Sequence, residues 1–569
     1  MNRRNFIRQS GNATFFAAMM SSTVAGFEPQ ESDSELVEIF TAQNDLLIDS
    51  ILVKQQLDES RPFHGGFPNE YMIFHVGTCA WYINRMMCGF VWPGSRYFQD
   101  KEVAEAIAIA MKFVKGQQHD DGTIDLTTTN FHSPPDTGFV VEPISLSVNL
   151  ARRHAGNQLV QFRRTAESFL EKAGNALSIG GIHTPNHRWV VCMALAWINH
   201  LVPNKSLVLR IDQWLDEGID IDSEGHFNER STSVYSPLTD RCLITIARLL
   251  KRPELLEPVR KNLQLTSFLV HPNGEIVTEV SRRQDQFRIA KMGNYYYPYR
   301  YMSIGDSDRL FASMARMIEK TVGKENLSGN LTYLLDDQEV NKPLPEGSPL
   351  PVNYTKEFSK SRIIRLRRNR IDSTILADNE TFATIHHGNA VLRAIRMATA
   401  FFGKGQFKSP SIENLAGRYR LSQSLTGPYF QPLSKDLLAG NTDWNRMPKH
   451  RRRQTEVQKL EAHVSIEEAD GVLSFTFSIA GTDRVPIAIE LAFAKGGTLH
   501  GCNAAPMVPN AYLVEADGFS FTQGGDTISV NGARSNHGWT QLRGALPKLD
   551  AKSVYITDFT PFQFVMKVS

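Results

Sequence analysis

One change of hydrophobic period constrains this 569-residue chain more than any other feature. From about 35 to 325, apolar residues recur near every 3.6 positions, the stripe of a helix that buries one face. The stretches 102–118, 159–177, 189–202, 206–219, 237–250 and 253–270 carry the pattern, and several end at Gly, Pro or Asp turns. Beyond the Pro-rich "KPLPEGSPLPVNYTK" (342–356) the period falls to two. "LEAHVSIEEADGVLSFTFSIAG", "VPIAIELAFAKGG" and "SVYITDFTPFQFVMKV" alternate as strands do, with an Asp-Gly hairpin signal in the first.

The expected fold class is therefore multidomain, α then β. An N-terminal (α/α) toroid is built from successive antiparallel helix pairs, and a C-terminal antiparallel β-sandwich follows. The length agrees, since a single core stops growing at roughly 250–300 residues. The expected boundaries are 28–340 for the toroid, 341–356 for a linker and 357–569 for the sandwich. No short strict repeat marks a tetratricopeptide or ankyrin solenoid.

Residues 1–27 read as a twin-arginine-type signal peptide: Arg3 and Arg4 precede a moderately apolar "ATFFAAMMSSTVAG" ending in small residues. Periplasmic export is the expectation. No later apolar run reaches the roughly 20 residues that cross a bilayer. With 62 basic and 60 acidic residues the chain is not a globally basic nucleic-acid binder, so any anionic ligand must meet a local patch. Five cysteines, Cys79, Cys88, Cys192, Cys242 and Cys502, lack CxxC spacing and read as free thiols. Walker A, GxGxxG, GxSxG and EF-hand patterns are not convincingly present, and no cofactor is expected.

Three polar stretches could carry chemistry. "GIHTPNHRWV" (181–190) sets Asn186, His187 and Arg188 at a helix start. Asn is a good cap, but a cation in the first turn opposes the helix dipole, and such local conflicts mark candidate sites. "DIDSEGHFNERSTSVYSPLTDR" (220–241) delivers Tyr235 just before a helix, between Arg230 and Arg241. A guanidinium beside a phenol favours phenolate, a usable base. "ATIHHGNAVLRAIRMATAFFG" (383–403) holds His386 and His387, which as strand neighbours point to opposite faces, so one of them can enter a given cleft. No HxH, HExxH or CxxC accompanies them, and charge neutralisation or proton transfer fits the pair better than metal ligation. Loops at 129–139, 281–287 and 293–301 add His132, Arg282, Arg283 and Tyr296 as candidate substrate contacts.

The order of "NH" at a helix start, "DxxGxFxERSxxxYxxxxDR" about fifty residues on, and a His-bearing strand in a β-domain resembles the toroid-plus-sandwich polysaccharide lyases. These include heparinase II/III-like, alginate-lyase-like and rhamnose-glucuronate lyases. The resemblance implies β-elimination at C4 of a uronic acid in a polysaccharide or oligosaccharide. It implies that Asn186, with His386 or His387, neutralises the uronate carboxylate. Tyr235 would serve as acid, and in syn elimination as base too, and His187 as base for the other stereochemistry. Apart from the resemblance, Arg188 and Arg230 are further candidate substrate contacts by their places beside His187 and Tyr235. "IHHGNA" departs from the fuller His-x-His-x-Asp-like pattern of the family. Two other readings stand beside this one: a glycoside hydrolase using carboxylates such as Asp120, Asp121, Asp136 and Glu229, and a non-catalytic glycan-binding protein.

Overall fold

The computed structural model describes residues 34–438, 440 and 443–569. The expected signal peptide lies outside these residues. The helical half runs α1 (Ser34–Lys54), α2 (Val76–Val91), α3 (Lys101–Gly116), α4 (Pro134–His154), α5 (Val160–Ile179), α6 (Pro185–Leu201), α7 (Lys205–Asp216), α8 (Tyr235–Leu250), α9 (Leu256–Thr266), α10 (Tyr296–Asp306), α11 (Arg309–Val322) and α12 (Leu331–Asp336). Helices α2, α4, α6 and α8 pack on one another in succession, while α3, α5 and α7 lie against them from outside. The short α12 returns to α1, α2 and α4 and closes the ring.

Buried carboxylates lock that closure. Asp336 at the end of α12 accepts Asn149 and Arg153 of α4 and Arg248 of α8. Glu142 of α4 accepts Arg241 of α8 and the Tyr333 hydroxyl. Removing one partner from such a pair would strand a charge in the core.

Two stretches expected as loops are largely helix. Pro134 and Pro135 open α4, with Ser133 capping Asp136, because a proline at the first helical position costs no hydrogen bond. Tyr296 opens α10 and is fully buried, its hydroxyl donating to Glu319 at 2.7 Å. Tertiary packing, not local polarity, decides both.

The β-half is a sandwich of a ten-stranded and an eight-stranded sheet. Its first strand, Asn353–Phe358, begins inside the expected linker, because it pairs with Ile363–Arg368. The ten-stranded sheet continues through Ile371–Leu376, Ala383–His387 and Ala390–Thr399 to Pro486–Phe493 and Lys552–Phe559. Its ladders are antiparallel except where Ala511–Val514 lies parallel to Lys552–Phe559. Phe475, Phe477, Ile489, Leu491, Phe521 and Ile556 are among the apolar side chains filling the space between the sheets. All five cysteines are free thiols, and Cys502 alone of them is not fully buried. Among the described residues no helix is long and apolar enough to cross a membrane.

The two halves meet through Leu265, Leu269, Val277 and Val280 of the helical half and Phe358, Ile363 and Leu376 of the sheet. Polar ties flank this contact. Glu224 accepts the backbone N–H groups of Lys360 and Ser361, and Arg365 donates to the Phe268 carbonyl.

Candidate active site

Helix α6 starts at Pro185 with Thr184 as its cap residue, so Asn186 is in the first turn and is not the cap. The first N–H groups of a helix lack intrahelical partners, and here a carboxylate serves them. Glu229 Oε2 accepts the Asn186 backbone N–H at 3.2 Å and its side-chain amide at 2.5 Å. The amide also donates to Thr184 Oγ1 at 3.2 Å, while the buried Asn186 Oδ1 has no partner. Glu229 reaches this place because the 220–230 segment turns tightly. Gly225 has φ of 103°, and an added Cβ would sit 2.5 Å from the Lys261 carbonyl oxygen.

His187, one residue on, is half-buried, with Nδ1 buried and unpartnered. Its ring meets His183 edge-on at 4.7 Å and Phe139 at 6.4 Å. Burial, reinforced by the charges of His183 and Arg283, pushes its pKa down to about 4, so it is a neutral imidazole at neutral pH.

Tyr235 opens α8, its N–H donating to Ser231 Oγ at 3.1 Å. Its hydroxyl accepts the Gln284 amide at 2.6 Å, and the Arg283 guanidinium lies 5.3 Å from the ring centroid. Arg283 also stands 3.6 Å from Glu229 Oε1. Asn186, Glu229, Arg283, Tyr235 and Gln284 thus form one connected group with His187 at its edge. The buried Asp285 pins the 281–285 turn by accepting Ser233 N–H at 3.0 Å, Ser233 Oγ at 2.9 Å and Ser281 Oγ at 3.1 Å.

Other expected site residues are engaged elsewhere. Arg188 turns away from the group to Glu217 at 3.1 Å and Asp220 at 2.9 Å and stacks on Trp189, which relieves its conflict with the helix dipole. It is an ion-pair residue of the helical half. Tyr296 belongs to the core. Arg230, at φ 46°, donates to the Lys360 carbonyl at 2.8 Å and joins the two halves. Arg282 is exposed beside Arg283, its N–H donating to the Arg230 carbonyl. His132 is exposed, stacked on His119 at 3.8 Å, with Nδ1 2.6 Å from Asp121; that hydrogen bond raises its pKa.

The adjacent histidines do part company across the sheet. His387 turns toward the eight-stranded sheet, with Nδ1 2.7 Å from the Thr527 carbonyl. His386 faces the helical half and is buried there, stacked on His271 at 3.6 Å with the ring planes 6° apart. Asp372 lies 2.7 Å from His271 Nδ1 and is itself held by Arg365 at 2.7 Å. Glu279 stands 3.6 Å from His271 Nε2 and accepts the Thr384 hydroxyl at 2.7 Å. Burial opposes the charge on Glu279, but the proximity and charge of His271, with the Thr384 hydroxyl, together outweigh it and hold the carboxyl below its usual range. Burial and the charge of His271 keep His386 neutral. A cavity of about 240 Å³ opens onto His271, Glu279 and His386, walled also by Phe287, Arg288 and Arg393. The sequence places no ligand-spaced motif beside the histidine pair and so gives no reason to expect a metal there. The fold supplies partners from the other half of the chain.

The sequence marks Glu229 only as a candidate hydrolase carboxylate and does not mark Gln284, Asp285, His271 or Glu279 as site residues. In "SRRQDQF" the arginines are the evident candidates, and nothing in one dimension shows that Gln284 reaches Tyr235 forty-nine positions away. The candidate hydrolase carboxylates do not form an opposed free pair. Asp120 is exposed near Lys172, Asp121 holds Thr123 and His132, Asp136 accepts Ser133 and Asn130, and Glu229 holds Asn186.

A helical ring followed by a two-sheet sandwich is a fold this chain shares with solved polysaccharide lyases. Solved structures similar to this chain include xanthan lyase of Paenibacillus (TM-score 0.59, 10% identity, covering 95% of this chain and 58% of that one). Heparinase III is similar at TM-score 0.57 and 11% identity, over 97% of this chain and 87% of that one. The chondroitin AC lyase of Streptomyces coelicolor A3 follows at 0.55 and 12%, over 96% and 80%. No family model and no curated protein matches the sequence. At such identities the likeness establishes the fold, and the chemistry rests on the site.

Proposed function

We propose that this protein is a polysaccharide lyase that cleaves at C4 of a uronic acid by β-elimination, leaving an unsaturated uronate end. The observation that carries the reading is the convergence of a neutral imidazole, a phenol and a guanidinium, His187, Tyr235 and Arg283, around the Asn186–Glu229 pair. Elimination needs a base for the C5 proton, an acid for the departing O4 and a group that stabilises charge on the neighbouring carboxyl.

In this reading His187 takes the proton from C5, the C4–O4 bond breaks as the C4=C5 double bond forms, and the Tyr235 hydroxyl protonates O4. Arg283 meets the uronate carboxylate. Asn186, whose amide donors are committed to Glu229 and Thr184, holds the start of the helix that carries His187. The segment carrying Arg3 and Arg4 supports export, which would bring the enzyme to extracellular glycans.

The test is ultraviolet absorbance of the purified protein with heparan-type, alginate, ulvan and rhamnose-glucuronate glycans. A rising signal from the new double bond supports elimination. New sugar ends without that absorbance would replace it with hydrolysis, and binding without release would replace it with a glycan-binding role.

A further inference from the structure

We propose that His271, Glu279 and His386 form a binding site for a divalent transition-metal ion of the Zn²⁺ type, set at the joint between the helical half and the sandwich. One ligand atom from each of the three lies within 4.8 Å of the others. Two ligands about 2.1 Å from a tetrahedral ion sit about 3.4 Å apart, and His271 Nε2 and Glu279 Oε1 are separated by 3.6 Å. Two imidazoles with one carboxylate form a donor set that suits zinc and its neighbours in the first transition row, not calcium or magnesium, which take oxygen.

The surroundings are those of metal ligands. A ligating histidine is ordinarily oriented by a carboxylate on its other nitrogen, and that carboxylate is itself held. Here Asp372 lies 2.7 Å from His271 Nδ1, and Arg365 donates to Asp372 at 2.7 Å. The carboxylate of Glu279 is steadied by Thr384 Oγ1 at 2.7 Å. His386 is buried with an Nδ1 that has no hydrogen-bond partner, an expense that coordination would remove. Its ring is stacked on His271, so closing the trio on an ion asks the His386 imidazole to tilt out of that stack. The cavity beside the three side chains leaves room for a water in a fourth position. His271 and Glu279 come from the helical half and His386 from the sandwich, so the ion would tie the two halves together.

The experiment uses the full chain, stripped with chelator, reloaded with zinc and dialysed, with metal measured per chain and thermal unfolding followed with and without zinc. We expect one equivalent in the wild type with a zinc-dependent rise in Tm, and at least a tenfold weaker affinity in His386→Gln and Glu279→Gln. His387→Gln, which alters the neighbouring histidine on the opposite face, should retain both. Cobalt loading of the wild type should give the visible absorption of a low-coordinate site, lost in the same two variants. Failure of the folded wild type to hold zinc, or equal retention by folded His386→Gln and Glu279→Gln, would overturn the proposal. So would loss in His387→Gln alone. None of these readouts depends on lyase activity.

Discussion

A single carboxylate oxygen, Glu229 Oε2, accepts both the backbone N–H and the side-chain amide of Asn186 at the start of α6, at 3.2 and 2.5 Å. The pair fixes the amide orientation and answers an orphan helix donor with a negative charge. Its consequences, and those of the groups around it, can be measured.

Glu229→Ala should lower stability by about 1.5–3 kcal/mol, the range for a lost hydrogen bond to a charged group. Because the residue positions Asn186 and Arg283, kcat should fall more than KM rises. Chemical denaturation midpoints and steady-state kinetics of the folded fraction check both. A variant with unchanged kcat would remove Glu229 from the site.

Tyr235→Phe should keep the fold, since the ring stays against Arg283 and the lost hydroxyl accepts a hydrogen bond from the exposed Gln284 amide. Elimination should fall by about 10²–10⁴-fold, the usual worth of a positioned general acid. Double-bond absorbance on a responsive glycan, with circular dichroism as the fold control, measures it.

His187 carries the pH dependence. Its pKa, pushed to about 4 from an ordinary 6.5, keeps it available as a base on the acid side of neutrality. The acid limb of kcat/KM should therefore lie nearer 4 than 6.5 when His187 is the base. For stability the folded pKa is depressed, so the unfolded chain binds more protons between 6.5 and 4. The contribution is whole above about 6.5 and is lost as pH falls toward 4. Urea midpoints of the wild type should drop more steeply over this window than those of His187→Gln.

Arg365→Ala should destabilise the protein by about 3–5 kcal/mol, because it breaks a fully buried ion pair and leaves Asp372 with His271 as its remaining charge partner. Replacing Arg188 by Ala should cost stability through its Glu217 and Asp220 pairs while leaving KM of the folded enzyme unchanged. Thermal unfolding and kinetics on the same preparations separate the two effects.

Much of the architecture is legible in one dimension because burial imprints a period. A helix that hides one face repeats near 3.6 and a strand near two, so the change after residue 342 marks the division between the halves. The exceptions are instructive. "SPPDT" and "YYYPY" look like turns, yet Pro134 at a helix start needs no N–H partner, and the Tyr296 side chain is taken up by the core.

The candidate site divides the same way. Residue type and local spacing single out Asn186, His187, Tyr235 and the histidine pair, and strand alternation requires that His386 and His387 face opposite ways. Only the folded chain assigns Arg188 to Glu217 and Asp220, brings Gln284 and Arg283 to Tyr235, and sets His271 and Glu279 against His386. The reason is physical. Period and capping are set by neighbours within a turn or a strand, whereas a hydrogen bond between residues 43 or 49 positions apart depends on where packing places two separate segments. No local pattern encodes that placement.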